Sequence, residues 1–107
     1  MRIKIKPLSV NKCWQGRRFK TPDYEAYEEE VLYRLKKQVI PSGKLFLKLT
    51  AGVSSKASDL DNVIKPFLDI LQKKYGFDDK KIYGMDLWKE DVPKGEEYID
   101  FDISSLG

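Results

Sequence analysis

Ile3 and Ile5 alternate with Arg2, Lys4 and Lys6, the period-two pattern of a strand with one buried face, and Pro7-Leu8 ends it. Periodicity then vanishes over residues 8–21, where Asn11, Lys12, Trp14, Gln15, Gly16, Arg17 and Arg18 make a polar, basic loop carrying one exposed-looking aromatic. The loop exceeds the usual connection of about 4–6 residues, and loops of that length are often functional. Thr21-Pro22 predicts a helix start, with Thr21 as N-cap and Pro22 at the first helical position. Tyr24, Tyr27, Val31, Leu35 and Val39 recur at helical spacing and carry that helix towards Pro41-Ser42-Gly43. Leu45, Leu47 and Leu49 alternate with Lys44, Lys48 and Thr50, which predicts a strand over residues 44–51.

From Asp59, the set Leu60, Val63, Ile64, Phe67, Leu68, Leu71 and Tyr75 marks the clearest amphipathic helix, with Gly76 as its stop. Ile82, Tyr83, Met85, Leu87 and Trp88 predict a strand over 81–89 with both faces partly apolar and Gly84 at a bulge. A turn at Val92-Pro93-Lys94-Gly95 leads to a last strand, where Ile99, Phe101 and Ile103 alternate with Tyr98, Asp100 and Asp102. The expected fold is α/β (α+β): one small domain over residues 1–107, order β-α-β-α-β-β, with a mixed sheet and two helices.

Composition narrows the chemistry. The chain has 107 residues, 35% of them charged, one cysteine and no histidine. The missing histidine removes imidazole acid/base catalysis, Ser-His and Cys-His nucleophile pairs and His-ligated metals. Lone Cys13 excludes an internal disulfide. Chemistry near neutral pH must then use carboxylates, Lys, Tyr and a hard metal ion. No apolar run approaches the roughly 18 residues of a membrane span, so a cytoplasmic protein is expected. The net charge of +3 hides a division: residues 1–58 hold 13 Lys+Arg against 5 Asp+Glu, and residues 59–107 hold 7 against 12. Such asymmetry suits a polyanion held by one part and a cation held by the other.

The acids concentrate around the second helix. Asp59, Asp61 and Asn62 fall at its start, Lys65 one turn on, and Asp78-Asp79 just after it. Two carboxylates two residues apart can face one ion, Mg²⁺ keeps several waters beside a few carboxylates, and Lys65 can neutralise charge developing on a phosphate. The same residues also fit a plainer role, because Asp and Asn are preferred N-caps and turn residues. Two Asp plus Asn exceed what one cap requires. For Asp59 and Asp79 to reach one ion, either the chain after Gly76 returns along a helix roughly 22 Å long, or strand pairing brings the third strand's start beside residue 59.

Asp59-Leu60-Asp61-Asn62-Val63-Ile64-Lys65-Pro66, followed by Phe67-Leu68-Asp69 and Gly76-Phe77-Asp78-Asp79, resembles the RusA-type Holliday junction resolvases of bacteria and their phages. The opening Pro7-Leu8-Ser9-Val10-Asn11-Lys12 with Trp14 is similar to that family's N-terminal segment, so the resemblance covers nearly the whole chain. It implies a homodimeric, Mg²⁺-dependent endonuclease that nicks four-way DNA junctions symmetrically, with no small-molecule cofactor and no membrane partner. By position it implies Asp59, Asp61 and Asp79 as catalytic metal ligands and Lys65 as the required lysine. Asn62 and Asp78 are secondary members of the set. Relatives often carry an arginine run before the aspartate pair, whereas Ser54-Ser55-Lys56-Ala57-Ser58 offers only Lys56.

DNA contacts are expected from Lys12, Trp14, Arg17, Arg18, Lys20 and Lys56, with two readings open for the long loop. Trp14 either stacks on an unpaired base or packs back on the domain. The tyrosines of both helices and Trp88 read as core, boundary or interface residues, and Cys13 as incidental. The competing function is a non-catalytic DNA-binding or regulatory module whose acids only cap helices.

Overall fold

Leu45, Leu47, Leu49, Ala51 and Val53 are all buried along the nine-residue strand β4 (Leu45–Val53), and this row of apolar side chains makes β4 the centre of the sheet. The computed structural model describes residues 1–16 and 19–107. Around β4 lie β1 (Arg2–Ile3), β5 (Ile82–Asp91) and β6 (Tyr98–Ser105), in the order β1-β6-β4-β5. β6 runs antiparallel to β4, pairing Leu45 with Ser105 and Gly52 with Tyr98. β5 runs parallel to β4, reached through helix α2 (Leu60–Tyr75). Parallel neighbours require such a crossover.

Register assigns each side chain to a face. Ile99, Phe101 and Ile103 stand opposite Ala51, Leu49 and Leu47 and are buried with them. From α2, Val63, Ile64, Phe67, Ile70 and Leu71 close the core, and Phe67 meets Phe101 edge-on with centroids 5.4 Å apart. The opposite face carries Lys48, Thr50, Asp86, Trp88, Asp100 and Asp102. There Tyr98 lies so close over Gly52 that an added Cβ would stand 2.4 Å from the ring. Only glycine fits at that position. The expected bulge is present: Leu45 pairs with Ile82 and Phe46 with Gly84, leaving Tyr83 as the extra residue.

Helix α1 (Pro22–Arg34) starts where expected, Thr21 accepting the Tyr24 N–H. It stops at Arg34 rather than continuing to Val39, which is exposed. Val39 and Ile40 are β-branched and Ile40 precedes Pro41, both unfavourable to helix. The Lys36 carbonyl instead accepts from the Tyr75 hydroxyl at 2.6 Å, tying the extended segment to the end of α2. Tyr24 and Tyr27 are core residues as expected, whereas Tyr33 is exposed. The first strand pairs only at Arg2 and Ile3, not as far as Ile5.

The long loop is more ordered than its sequence pattern suggests. Ser9 caps a 3-10 turn at Val10–Lys12, and Cys13 is fully buried, its Sγ donating to the Ser9 carbonyl. Burial pushes the Cys13 thiol up, with Asp69 adding to the shift. Cys13 is thus a core anchor rather than an incidental loop residue. Two two-residue strands, β2 (Trp14–Gln15) and β3 (Phe19–Lys20), then form a hairpin. Among the described residues, no helix is long and apolar enough to cross a membrane.

Candidate functional site

The segment between β4 and α2 is held in place before Asp59 begins the helix. Lys89 Nζ on β5 donates to the Ser58 carbonyl at 2.9 Å, and Ser54 Oγ donates to Glu97 Oε2 at 2.6 Å. Asp59 occupies the N-cap position with extended backbone, yet its carboxylate accepts no capping hydrogen bond. Asn62 Nδ2 donates to it instead, at 3.3 Å. Thr21 and Asp78 behave differently, each accepting a backbone N–H from its own helical turn.

Asp59 and Asn62 open onto a cleft of about 470 Å³. Ser55 and Ser58 line it beside them, the N-terminal segment contributes Lys6, Ser9, Asn11 and Lys12, and Asp23 comes from the first turn of α1. Cations, hydroxyls and amides therefore surround two carboxylates, a setting for a phosphate oxygen next to a hard metal ion. Asp61, in the first turn of α2, is exposed. Lys65 and Asp69 follow it at successive four-residue steps on the outer stripe of the helix. Burial raises the Asp69 carboxyl above the ordinary value, with Lys65 opposing and Asp79 reinforcing the shift.

Asp79 lies beside the end of α2, its backbone N–H donating to Gln72 Oε1 at 2.9 Å. The chain after Gly76 therefore does return along the helix, but only about one turn. Gln72 lies thirteen residues beyond Asp59, about 20 Å along the axis at 1.5 Å per residue. Strand pairing does not close the gap either, since β5 begins beside Leu45, at the end of β4 away from Asp59. Among the described residues, no three of Asp, Glu and Cys come close enough to hold one ion. The donor set at the helix start still suits Mg²⁺, because the Asp59 carboxylate accepts from the Asn62 amide rather than capping the backbone, Asp61 is solvent-facing, and this ion accepts few carboxylates beside its waters. Asp78 is committed to the local backbone, and its bond from the Lys80 N–H holds its carboxyl below the ordinary value.

Of the expected DNA contacts, Lys12 faces the cleft. Lys20 is engaged, both its contacts with Glu28 being 3.1 Å. Lys56 is exposed, but its neighbours Ser55 and Ala57 line the cleft while it does not. Trp14 is 44% exposed and leans edge-on against Tyr24 at 5.6 Å, so it is half packed. Phe19, on the opposite face of the hairpin, is 73% exposed. Arg17 and Arg18 lie outside the described residues. Sequence reasoning missed Phe19, Lys6 and Asp23. Alternation with Lys20 in a strand would have marked Phe19, whereas Asp23 joins the cleft only through the fold.

The family model described as Endodeoxyribonuclease RusA matches residues 6–97 of the chain. No curated protein gives a significant match.

Proposed function

The chain belongs to the RusA endodeoxyribonuclease family, and from that premise we propose that it resolves four-way DNA junctions by paired symmetric nicks in a Mg²⁺-dependent reaction. The observation that carries the reading is the Asp59 carboxylate, which sits at a helix start without capping it and opens onto a cation-lined cleft. Asp59 and Asp61 would hold the metal. Bound there, Mg²⁺ supplies a nucleophilic water near neutral pH and offsets phosphate charge.

The protein's own groups do the rest. Asn62 holds Asp59 in orientation through its 3.3 Å bond. Lys6 and Lys12 receive the phosphates entering the cleft, a salt-sensitive contact. Lys65 faces charge developing on the scissile phosphate. Among the described residues Asp79 is not gathered with Asp59 and Asp61 of its own chain, and on this reading it serves the site of a second copy. Two sites related by a two-fold axis match a junction of the same symmetry.

The competing module without catalysis fits Asp78, which does cap, but leaves Asp59 without a role. Asp61→Asn separates the two readings. The variant is expected to bind a synthetic four-way junction as the wild type does and to lose Mg²⁺-dependent nicking by at least about 100-fold, the scale of losing one electrostatic element of a transition state. Retained nicking overturns the mechanism.

A further inference from the structure

On β5, Met85, Leu87 and Lys89 stand opposite Leu47, Leu49 and Ala51 of β4, the face of the sheet that α2 covers. The apolar row of this face therefore ends in a cation. Lys89 Nζ donates to the Ser58 carbonyl at 2.9 Å and reaches the Lys56 carbonyl at 3.5 Å. Among the described residues it pairs with no carboxylate. We infer that Lys89 is a positioning residue for the nuclease site, setting the direction of the Asp59 carboxylate by fixing the peptide plane that enters α2.

The inference rests on the proposed nuclease reading and on the geometry of the loop before Asp59. The Ser58 carbonyl and the Asp59 nitrogen belong to one planar peptide unit, so a bond to that oxygen restrains the backbone from which the Asp59 side chain leaves. Asp59 depends on such restraint, because no capping bond ties its carboxylate to the helix and its bond from Asn62 is long, at 3.3 Å. The loop is also held at its other end, where Ser54 Oγ donates to Glu97 Oε2, and by a turn in which the Ser58 N–H donates to the Ser55 carbonyl. Lys89 supplies the fixed point next to the acid. A direct phosphate contact is the competing role for this lysine. Two of its three protons, however, are directed at carbonyls, and a phosphate contact would show in DNA affinity.

The test is a calorimetric titration of Mg²⁺ into the full chain without DNA, beside nicking of a synthetic four-way junction and junction binding in EDTA. Lys89→Met keeps the stem and loses the donors. It is expected to weaken Mg²⁺ binding and slow nicking by about 10–100-fold, the scale of losing a group that orients a metal-binding side chain. Junction affinity in EDTA and the thermal unfolding curve are expected to stay close to wild type, because the residue is exposed. Lys89→Arg, which restores a donor, is expected to recover most of the loss. Lys48→Met removes the same charge from the opposite face of the sheet and is expected to change neither Mg²⁺ binding nor nicking. A Lys89→Met protein with wild-type Mg²⁺ affinity overturns the role, whether its unfolding temperature falls or not, and so does a loss confined to junction binding. Weakened Mg²⁺ binding rescued by Lys89→Arg, in a chain that nicks no DNA, upholds the positioning role and overturns the nuclease reading. A nicking enzyme indifferent to Lys89→Met does the reverse, and a wild type that neither binds Mg²⁺ nor nicks overturns both.

Discussion

A carboxylate at a helix N-cap ordinarily accepts the backbone N–H groups that the first turn leaves unpaired. Asp59 departs from that habit, being held from the side by Asn62. Thr21 follows it, accepting from Tyr24 N and donating to the Lys12 carbonyl. Thr21→Ala is therefore expected to cost about 1 kcal/mol of unfolding free energy. Asp59→Ala should cost less than about 0.5 kcal/mol, the range of a surface change, while abolishing nicking. Urea unfolding of the two variants checks this. An Asp59→Ala loss as large as that of Thr21→Ala would return Asp59 to a capping role. Residue type and spacing pointed to Asp59, Asp61 and Lys65, but could not say which aspartate caps. Capping is a matter of side-chain direction, and Asp59 and Asp78 look alike until that direction is known.

At the scale of elements, Glu28 on α1 joins three pieces of the fold, accepting from Lys20 on β3 and Lys73 on α2 at 3.1 Å each. Burial alone would raise its carboxyl, yet the two lysine hydrogen bonds prevail and hold it below the ordinary 4.5. A carboxyl depressed in the folded state stabilises above its unfolded value and loses that contribution as pH falls through its folded value. Glu28→Gln is accordingly expected to be less stable than wild type by roughly 1 kcal/mol at pH 7, with the difference shrinking below pH 4.5 and vanishing in stronger acid. Denaturation curves at pH 7 and pH 3 measure it, and an equal gap at both would contradict the network. The main elements were legible because α2 and β4 repeat their apolar positions at 3.6 and 2 residues over long stretches. The hairpin was not, since two-residue strands are too short to show a period. The early end of α1 was hidden because Leu35 and Val39 keep the helical spacing after the helix has stopped.

For the whole molecule, the uneven charge of the two halves reads as a division of labour. The basic N-terminal segment reaches the cleft through Lys6 and Lys12, and the acidic remainder supplies Asp59, Asp61 and Asp79. What one chain does not achieve is to bring the third aspartate to the other two, because α2 stands between them. Sequence posed this as a question of whether the chain folds back, and parallel pairing of β4 with β5 answers it. On the proposed reading, a working site combines Asp59 and Asp61 of one copy with Asp79 of another. Mixing Asp61→Asn and Asp79→Asn, each inactive alone, tests it directly. If sites are shared, mixed dimers hold one intact site and nick one strand of a four-way junction in the presence of Mg²⁺. If every site lies within a single chain, each copy carries a defect and the mixture stays as inactive as either variant, which would contradict the account.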